Sequence, residues 1–333
     1  MTVGHSPASD PAVPSAGHAL PYPRNLVGYG PQPPRPAWPG GARLALNFVL
    51  NYEEGAEYTV LNGDAHSETY LHELPGGAAV QGARSVNTES GYDFGARVGV
   101  WRLLNTFERA GVPFTVFAVG RALELNPAVG PAFIAAGHEV ASHHWRWIDY
   151  AGMPAALERE HVLRSIDAIE RYCGVPPVGW YGGRVSERSR ELAAATGVFL
   201  YDSDVYDDEL PHWTRAADRD LLLIPYTLEA NDVKFSVAPG FGMGSDFEQY
   251  LRDTFDTLYA EGSAPDTSRL GPRMMSVGLH CRVSGRPGRA AALARFLSYV
   301  ASFPDVWIAR RDEIARHWAR VHPAPGTVVP YGR

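Results

Sequence analysis

The chain has 333 residues, of which 45% are hydrophobic, and a formal net charge of −7 at pH 7. This length fits one large α/β domain or two ordinary ones, with enough apolar residues for a sizeable core. The acidic balance and the lack of a basic stripe argue against a nucleic-acid partner, and no apolar run reaches the ~20 residues that cross a bilayer.

The first 40 residues contain ten of the 27 prolines, too many for a regular helix or strand. We expect residues 1–20 to form a disordered tail. In residues 21–40 aromatic and aliphatic side chains alternate with the prolines, which predicts an extended arm over the body of the protein or a neighbouring subunit. Residues 323–333 are predicted to form a C-terminal tail. The N-terminus lacks the charged and apolar regions of a secretory signal, and the two cysteines suggest no disulfide framework, so a cytoplasmic protein is expected.

From residue 42 onward, segments with strand and helix patterns alternate. Strands are predicted at 43–50, 113–119, 138–142, 177–182, 198–203, 221–227, 273–280 and 305–309, and helices at 98–111, 121–136, 153–172, 186–196, 245–262, 287–302 and 311–321, with a long excursion over 55–97. Alternation of this kind predicts parallel strands joined by helical crossovers. Seven or eight such units favour a closed or nearly closed (β/α) barrel, in a single domain over residues 41–322.

Residues able to do acid–base chemistry follow several of the predicted strands. Glu53 and Glu54 follow the first strand, His143 the third and Asp204 the fifth, while His280 ends the seventh. The loops after the strands of a (β/α) barrel converge on one face, so these side chains can share a pocket. Carboxylates and histidines gathered in one pocket indicate an enzyme.

Plainer explanations exist for each of these residues. The two glutamates could be a solvated charge pair, and a lone histidine is more often a core residue. The acidic segment 202–208 suggests calcium, but it lacks the glycine and the distal glutamate of an EF-hand loop. We favour a carboxylate that orients a histidine, namely Asp204 beside His280. Glu89, Tyr92 and Arg97 suit recognition of a small polar ring, unless they serve only helix capping and surface packing.

These motifs resemble those of the polysaccharide deacetylase (NodB-like) superfamily, whose fold is an irregular (β/α)7 barrel. Residues 52–55 match its aromatic-Asp-Asp-Gly motif, with both aspartates replaced by glutamate. Ser142-His143 matches the second motif, but Trp147 stands where a second histidine is usual. Leu279-His280 matches the Leu-His motif. The arginine of the third motif falls in the segment Trp180–Arg184, where Tyr181 or Arg184 could take its place.

The chain resembles more closely the metal-independent allantoinase branch, together with the related cyclic imide hydrolases. The similarity runs from about residue 21 to 322 and includes FVLNYEEG, ESGYDFGARVGVWR, SHHWRWIDY, IPYTLEANDVKF and GLHCRVSGRP. It implies hydrolysis of a cyclic amide, (S)-allantoin to allantoate in purine catabolism, or else hydrolysis of a hydantoin or a cyclic imide. Two competing interpretations are a metal-dependent polysaccharide N-deacetylase and a non-catalytic ureide- or sugar-binding module.

The resemblance also implies roles for individual residues. Glu53 would take a proton from water, and His280, oriented by Asp204, would protonate the leaving ring nitrogen. Glu54 and His143 would position the water or the substrate, and would be the ligands if a metal were bound. The residues expected to contact the substrate are Glu89, Tyr92, Arg97, Trp147, Tyr181 and Arg184. No cofactor is expected, the partner is a small cyclic ureide or imide, and a homo-oligomer, of the size of a tetramer, is implied.

Overall fold

The computed structural model describes residues 24–265 and 268–326, so the predicted tail at 1–20 lies outside the described residues. The strands in these ranges are β1 (Leu44–Tyr52), β2 (Thr115–Ala118), β3 (Glu139–Ser142), β4 (Gly179–Trp180), β5 (Tyr201–Asp202), β6 (His212–Ala216), β7 (Arg219–Leu223), β8 (Arg273–His280) and β9 (Val306–Ile308). The α-helices are α1 (Val86–Phe94), α2 (Val100–Ala110), α3 (Gly120–Leu125), α4 (Val129–Ala135), α5 (Ala155–Cys173), α6 (Ser189–Ala195), α7 (Gly244–Glu261), α8 (Cys281–Ser284), α9 (Pro287–Val300) and α10 (Arg311–Val321). None of the described helices is long and apolar enough to span a membrane.

The strands form one sheet in the order β6-β7-β5-β4-β3-β2-β1-β8, and β9 pairs with the start of β1. The pairs are parallel except for the β6–β7 hairpin. The predicted α/β class and NodB-type architecture are confirmed, as a curled half-barrel rather than a closed one. On the far side of β8 the described residues supply only a single bridge, between Gly278 and Asn231.

Strand β1 is fully buried and separates two apolar clusters. Because alternate side chains of a strand point to opposite faces, one set packs under the helices and the other faces the inside of the sheet. The outer set is Leu44, Leu46, Phe48, Leu50 and Tyr52. The inner set contains Ala45 and Val49, and by the same alternation it contains Asn47 and Asn51. The hollow of the sheet is therefore partly polar.

Three predicted elements differ from the structure for local reasons. The predicted helix 98–111 starts at Val86 and passes through a π-helical turn, Gly95–Gly99. The predicted helix 121–136 is interrupted at Asn126, since the residue before a proline is disfavoured in helical conformation. The sequence does not predict the β6 strand, because its turn uses Ala217 and Asp218 at positive φ instead of the usual glycine or asparagine.

Residues 24–38 lie across the protein's own body. The Trp38 indole N–H donates to the carbonyl of Arg273 at 2.9 Å, and the Tyr29 hydroxyl donates to the carbonyl of Pro211 at 2.6 Å. The Pro36 carbonyl lies 2.8 Å from Nε2 of His317 on α10. These contacts tie the proline-rich segment to β8 and α10.

The guanidinium of Arg311 joins the two sides of the open sheet. The residue is 0% exposed, and its donors reach Asn47 Oδ1 at 2.9 Å and Ser276 Oγ at 3.0 Å on β1 and β8. It also donates to Ser203 Oγ and to the carbonyl of Pro225, both at 2.9 Å, on the far side. A buried cation with this many acceptors ties β1 and β8 to the segments that follow β5 and β7.

Arg311→Met should lower the free energy of unfolding by about 3 kcal/mol or more, because several buried acceptors lose their donor. Urea denaturation followed by circular dichroism measures this change. Arg316→Met is the matched control: its side chain is 54% exposed on the same helix and should change stability by less than about 1 kcal/mol. Equal losses in both variants would contradict the role assigned to Arg311.

Candidate active site

A cavity of about 100 Å³ lies at the carboxyl ends of the parallel strands. Glu53 follows β1, His143 follows β3 and His280 ends β8, so the convergence expected from the sequence brings these three side chains together. The cavity is lined by Asn51, Glu53, Tyr70, Leu71, His143, Trp147, Tyr181, Gly183, Arg184, Tyr206, Tyr226, Leu228, Asn231, Val233 and His280.

Glu53 is a buried carboxylate surrounded by nitrogen atoms. Its Oε1 lies 3.2 Å from Nε2 of His143 and 3.5 Å from Nε2 of His280. Its Oε2 lies 2.8 Å from Nη1 of Arg282. The two groups form an ion pair, but the geometry is not that of a hydrogen bond. Burial alone would raise the pKa of Glu53, but Arg282 and then His280 hold that pKa well below its usual value. Glu53 is therefore ionised at neutral pH.

His280 is held by Asp232. Nδ1 of His280 donates to Asp232 Oδ1 at 2.6 Å, and Asp232 Oδ2 accepts from the backbone N–H of His280 at 2.7 Å and from the Ser284 hydroxyl at 2.6 Å. Burial would lower the pKa of His280, but Glu53 and Asp232 raise it to about 9. His280 is thus an imidazolium at neutral pH, and its Nε2–H faces Glu53.

The prediction that Asp204 orients His280 is wrong. Asp204 accepts hydrogen bonds from the backbone N–H groups of Gly182 and Gly183, both at 2.8 Å, and from the Trp180 indole at 3.0 Å. It follows β5, which is separated from β8 by four strands, whereas the segment after β7 crosses the opening and bridges β8. Asp232 lies in that segment, just after an asparagine whose side chain caps the turn Asp232–Phe235. This Asn-Asp pair is the sequence signal that could have indicated Asp232.

Glu54 is buried but does not line the cavity, so the structure does not bring it to the place that the predicted positioning of water requires. Its Oε2 accepts from the backbone N–H of Glu53 at 3.0 Å, and its Oε1 accepts from that of Arg282 at 3.2 Å. It points toward the π-helical turn, where a Cβ on Gly95 would lie 2.2 Å from its Oε1. Adjacent residues at a strand end face opposite sides, so only Glu53 enters the cavity. Burial and the neighbouring Glu53 raise the pKa of Glu54.

Three predicted substrate contacts line the cavity, and two of them, Trp147 and Arg184, form its roof together with Tyr70. Trp147 stacks on Tyr70, with ring centroids 5.7 Å apart. The guanidinium carbon of Arg184 lies 5.1 Å from the Trp147 ring centre, and its Nη1 pairs with Glu68 at 2.9 Å. Tyr181 stacks on Phe117 and contributes to the wall. Tyr70 comes from the long excursion, which thus covers the site.

The other three predicted substrate contacts lie outside this cavity. Glu89 accepts from the Thr59 hydroxyl and pairs with Arg84. Arg97 is exposed, and with Tyr92 it lines a separate cavity of about 510 Å³. Helix α1 begins at Val86, so these residues lie on helical turns beside the site and not on the wall of this cavity. Tyr92 supports the site indirectly, since its ring packs 4.1 Å from the Arg282 guanidinium.

Residues 88–200 match the sequence profile of the polysaccharide deacetylase family. A Schizosaccharomyces pombe protein named as a polysaccharide deacetylase is 42% identical over 305 residues, which cover 86% of this chain and 93% of that protein. The chain belongs to the polysaccharide deacetylase family. It is accordingly a deacetylase-family hydrolase, and the family expected from the sequence motifs is confirmed.

Two crystal structures are similar to the present chain over most of its length. A Pseudomonas aeruginosa PAO1 protein named as a polysaccharide deacetylase has 53% identity and a TM-score of 0.87, with coverage of 91% of this chain and 100% of that chain. PuuE allantoinase has 49% identity and a TM-score of 0.88, with coverage of 92% and 100%.

The residues at the deacetylase metal position do not fit a divalent cation. Trp147 has no metal-binding atom, and Glu54 uses its oxygens for backbone N–H groups. Nη1 of Arg282 lies 2.8 Å from Glu53 and 3.6 Å from Glu54, so a fixed positive charge already contacts both carboxylates. Within the described ranges no three His, Cys, Asp or Glu side chains are grouped to hold a metal ion. A catalytic zinc site normally uses three protein ligands.

Asp232→Asn should lower the pKa of His280 from about 9, because it removes an anion that stabilises the imidazolium. NMR titration of the histidine ring carbons measures this, and the His280 resonance is identified by its loss in His280→Phe. Asp204→Asn is the control and should leave the titration of His280 in place. The assignment fails if Asp204→Asn moves the titration and Asp232→Asn does not.

Proposed function

We propose that this protein hydrolyses the C–N bond of a small cyclic amide, with (S)-allantoin as the favoured substrate and allantoate as the product. The observation that carries the proposal is the ionised Glu53 facing the Nε2–H of His280 inside a small roofed cavity. A base that takes a proton from water and a neighbouring acid that protonates the leaving nitrogen are what amide hydrolysis needs.

The reaction follows from the positions of these groups. Glu53 takes a proton from water as the water oxygen attacks the ring carbonyl carbon. His280 then gives its Nε2 proton to the ring nitrogen as the C–N bond breaks, and Asp232 keeps Nδ1–H engaged. The ring opens to a carboxylic acid and an N–H group, and transfer of the proton from Glu53 to His280 restores both catalytic groups. His143 contacts the same Glu53 oxygen and fixes its direction.

The size and lining of the cavity favour a small ring over a sugar polymer. Its volume of about 100 Å³ is below the range of roughly 300–1,000 Å³ typical of sites for larger ligands. Asn51, Asn231 and Tyr226 line the wall with neutral polar side chains, and both asparagines donate to the Tyr226 hydroxyl. The stacked rings of Tyr70 and Trp147 line the same cavity and limit the room for a larger ligand.

The comparisons support this proposal in part. PuuE allantoinase, at 49% identity, is named for the proposed reaction. Other relatives carry deacetylase names, but this chain has Trp147 in place of a metal-binding histidine and Arg282 beside the carboxylates. These two residues weigh against deacetylation that depends on a metal.

Chelator-treated protein should open the ring of allantoin. Product formation is followed side by side with allantoin, hydantoin, dihydrouracil, succinimide and N-acetylated chito-oligosaccharides. Ring opening without acetate release supports the proposal and ranks the rings. Acetate release that requires added zinc would identify a polysaccharide deacetylase, and ligands that stabilise the protein without being consumed would identify a binding module.

Glu53→Gln should lower kcat about 10²- to 10⁴-fold, because the amide cannot accept the proton from water. Steady-state rates with the best ring substrate measure the loss. Glu89→Gln serves as the control, since Glu89 lies outside the cavity and should leave kcat and KM near their starting values. Near-normal turnover by Glu53→Gln would remove Glu53 from the base role.

The value of kcat/KM should be constant near neutral pH and should fall at alkaline pH. His280 must be protonated, so kcat/KM should fall as the pH rises through about 9. Glu53 has a pKa well below its usual value, so no acid-side loss from this residue is expected above about pH 5. A pH profile of kcat/KM measures both limbs. A rate that increases steadily above about pH 9 would contradict the role of His280 as acid.

A further inference from the structure

Arg282 is the one cation in contact with both buried glutamates among the residues the structure describes. It lies two residues after His280, in the short helix α8, and is 4% exposed. Nη1 lies 2.8 Å from Glu53 Oε2 and 3.6 Å from Glu54 Oε1. None of the sequence motifs predicts a role for Arg282, and it does not line the cavity of Glu53 and His280.

The surroundings of Arg282 fix its guanidinium group. Nε donates to the carbonyl of Leu71 at 3.1 Å. The guanidinium carbon lies 4.1 Å from the ring centre of Tyr92 and 5.1 Å from that of Trp147. A planar guanidinium can stack on aromatic faces and meet carboxylates at its edge, which a lysine ammonium cannot do. The cation is therefore held in one place behind the base.

Two adjacent buried carboxylates need positive charge nearby. Removing an ionised carboxylate from water is costly unless a partner compensates it, and two carboxylates in contact repel each other. In a metal-dependent hydrolase a divalent cation supplies this charge and fixes the direction of the side chains. Here Arg282 supplies positive charge to both glutamates, and the ring of Trp147 packs against its guanidinium.

We propose that Arg282 is a positioning residue that takes the electrostatic place of a divalent cation. It holds the Glu53 carboxylate toward His143 and His280, and it excludes a metal ion from the pair Glu53–Glu54. Trp147 acts with it, because this side chain both lacks a ligand atom and packs on the guanidinium. The exclusion of metal is independent of the substrate, whereas the effect on catalysis rests on the proposed function.

Zinc binding tests the exclusion without any assay of activity. Isothermal titration calorimetry with zinc, and metal analysis after gel filtration, are carried out on the starting protein, Arg282→Met, Trp147→His and the double variant. We expect one tightly bound zinc in the double variant and none in the starting protein or in Trp147→His, where the guanidinium remains. Stoichiometric zinc in Trp147→His as tight as in the double variant would overturn the proposal. So would a double variant that is folded, by circular dichroism, and binds no zinc.

Ring-opening kinetics test the positioning of Glu53. Arg282→Met should lower kcat about 10²-fold or more with a smaller change in KM, because the base is displaced while the substrate contacts remain. Arg282→Lys should lose less activity than Arg282→Met, since lysine keeps the positive charge but lacks the planar guanidinium group. Arg286→Met is the control: its guanidinium packs on Phe94 outside the cavity, and kcat should be unchanged. A folded Arg282→Met protein with kcat within about 3-fold of the starting value would overturn this role.

The two experiments separate failure of this inference from failure of the proposed function. If no cyclic amide is hydrolysed, the function is wrong, yet the zinc titrations still decide whether Arg282 excludes a metal. If Arg282→Met does not fold, Arg282→Lys supplies the kinetic comparison and Trp147→His retains its zinc test. In that case a Lys variant with unchanged kcat contradicts the requirement for a guanidinium.

Discussion

The site depends on one buried carboxylate, Glu53, held between two cations. An unpaired ion in the interior would cost several kcal/mol, so its surroundings must supply positive charge and fixed direction. Both cations come from one stretch of three residues, His280 and Arg282, and Asp232 stabilises the first of them. The requirement to stabilise this single anion thus explains why the end of β8, the start of α8 and the segment after β7 meet at one point.

The sheet makes this arrangement rigid. Strands β1 and β8 pair over eight residues, and Asn51 lies opposite His280, so the carboxylate and its partners leave neighbouring strands at the same level. Helix α8 approaches the π-helical turn closely, since a Cβ on Gly99 would lie 2.0 Å from the carbonyl oxygen of Cys281. A larger residue there would push α8, and with it Arg282, away from Glu53. Groups fixed by paired strands need little reorganisation during a reaction.

The sequence predicted the parts of this structure that depend on local pattern. The proximity of Glu53, His143 and His280 could be predicted, because the carboxyl ends of the strands lie at one edge of a parallel α/β sheet. The position of Asp232 could not be predicted, since it depends on which segment crosses the open side of the half-barrel. Arg282 follows His280 closely, but its direction is set by packing on Tyr92, a residue 190 positions earlier in the chain. Likewise the opposite directions of Glu53 and Glu54 follow from how the strand ends.

Trp147 connects the loss of a metal ligand with the small size of the cavity. Its ring contacts the Arg282 guanidinium, stacks on Tyr70 and lies beside Arg184. A histidine there would give a metal another ligand, but it would also remove part of the roof. With the indole in place, an apolar ring lines the small cavity, and charges act more strongly on one another in surroundings of low polarity. The position of the guanidinium and the small size of the cavity therefore both depend on Trp147.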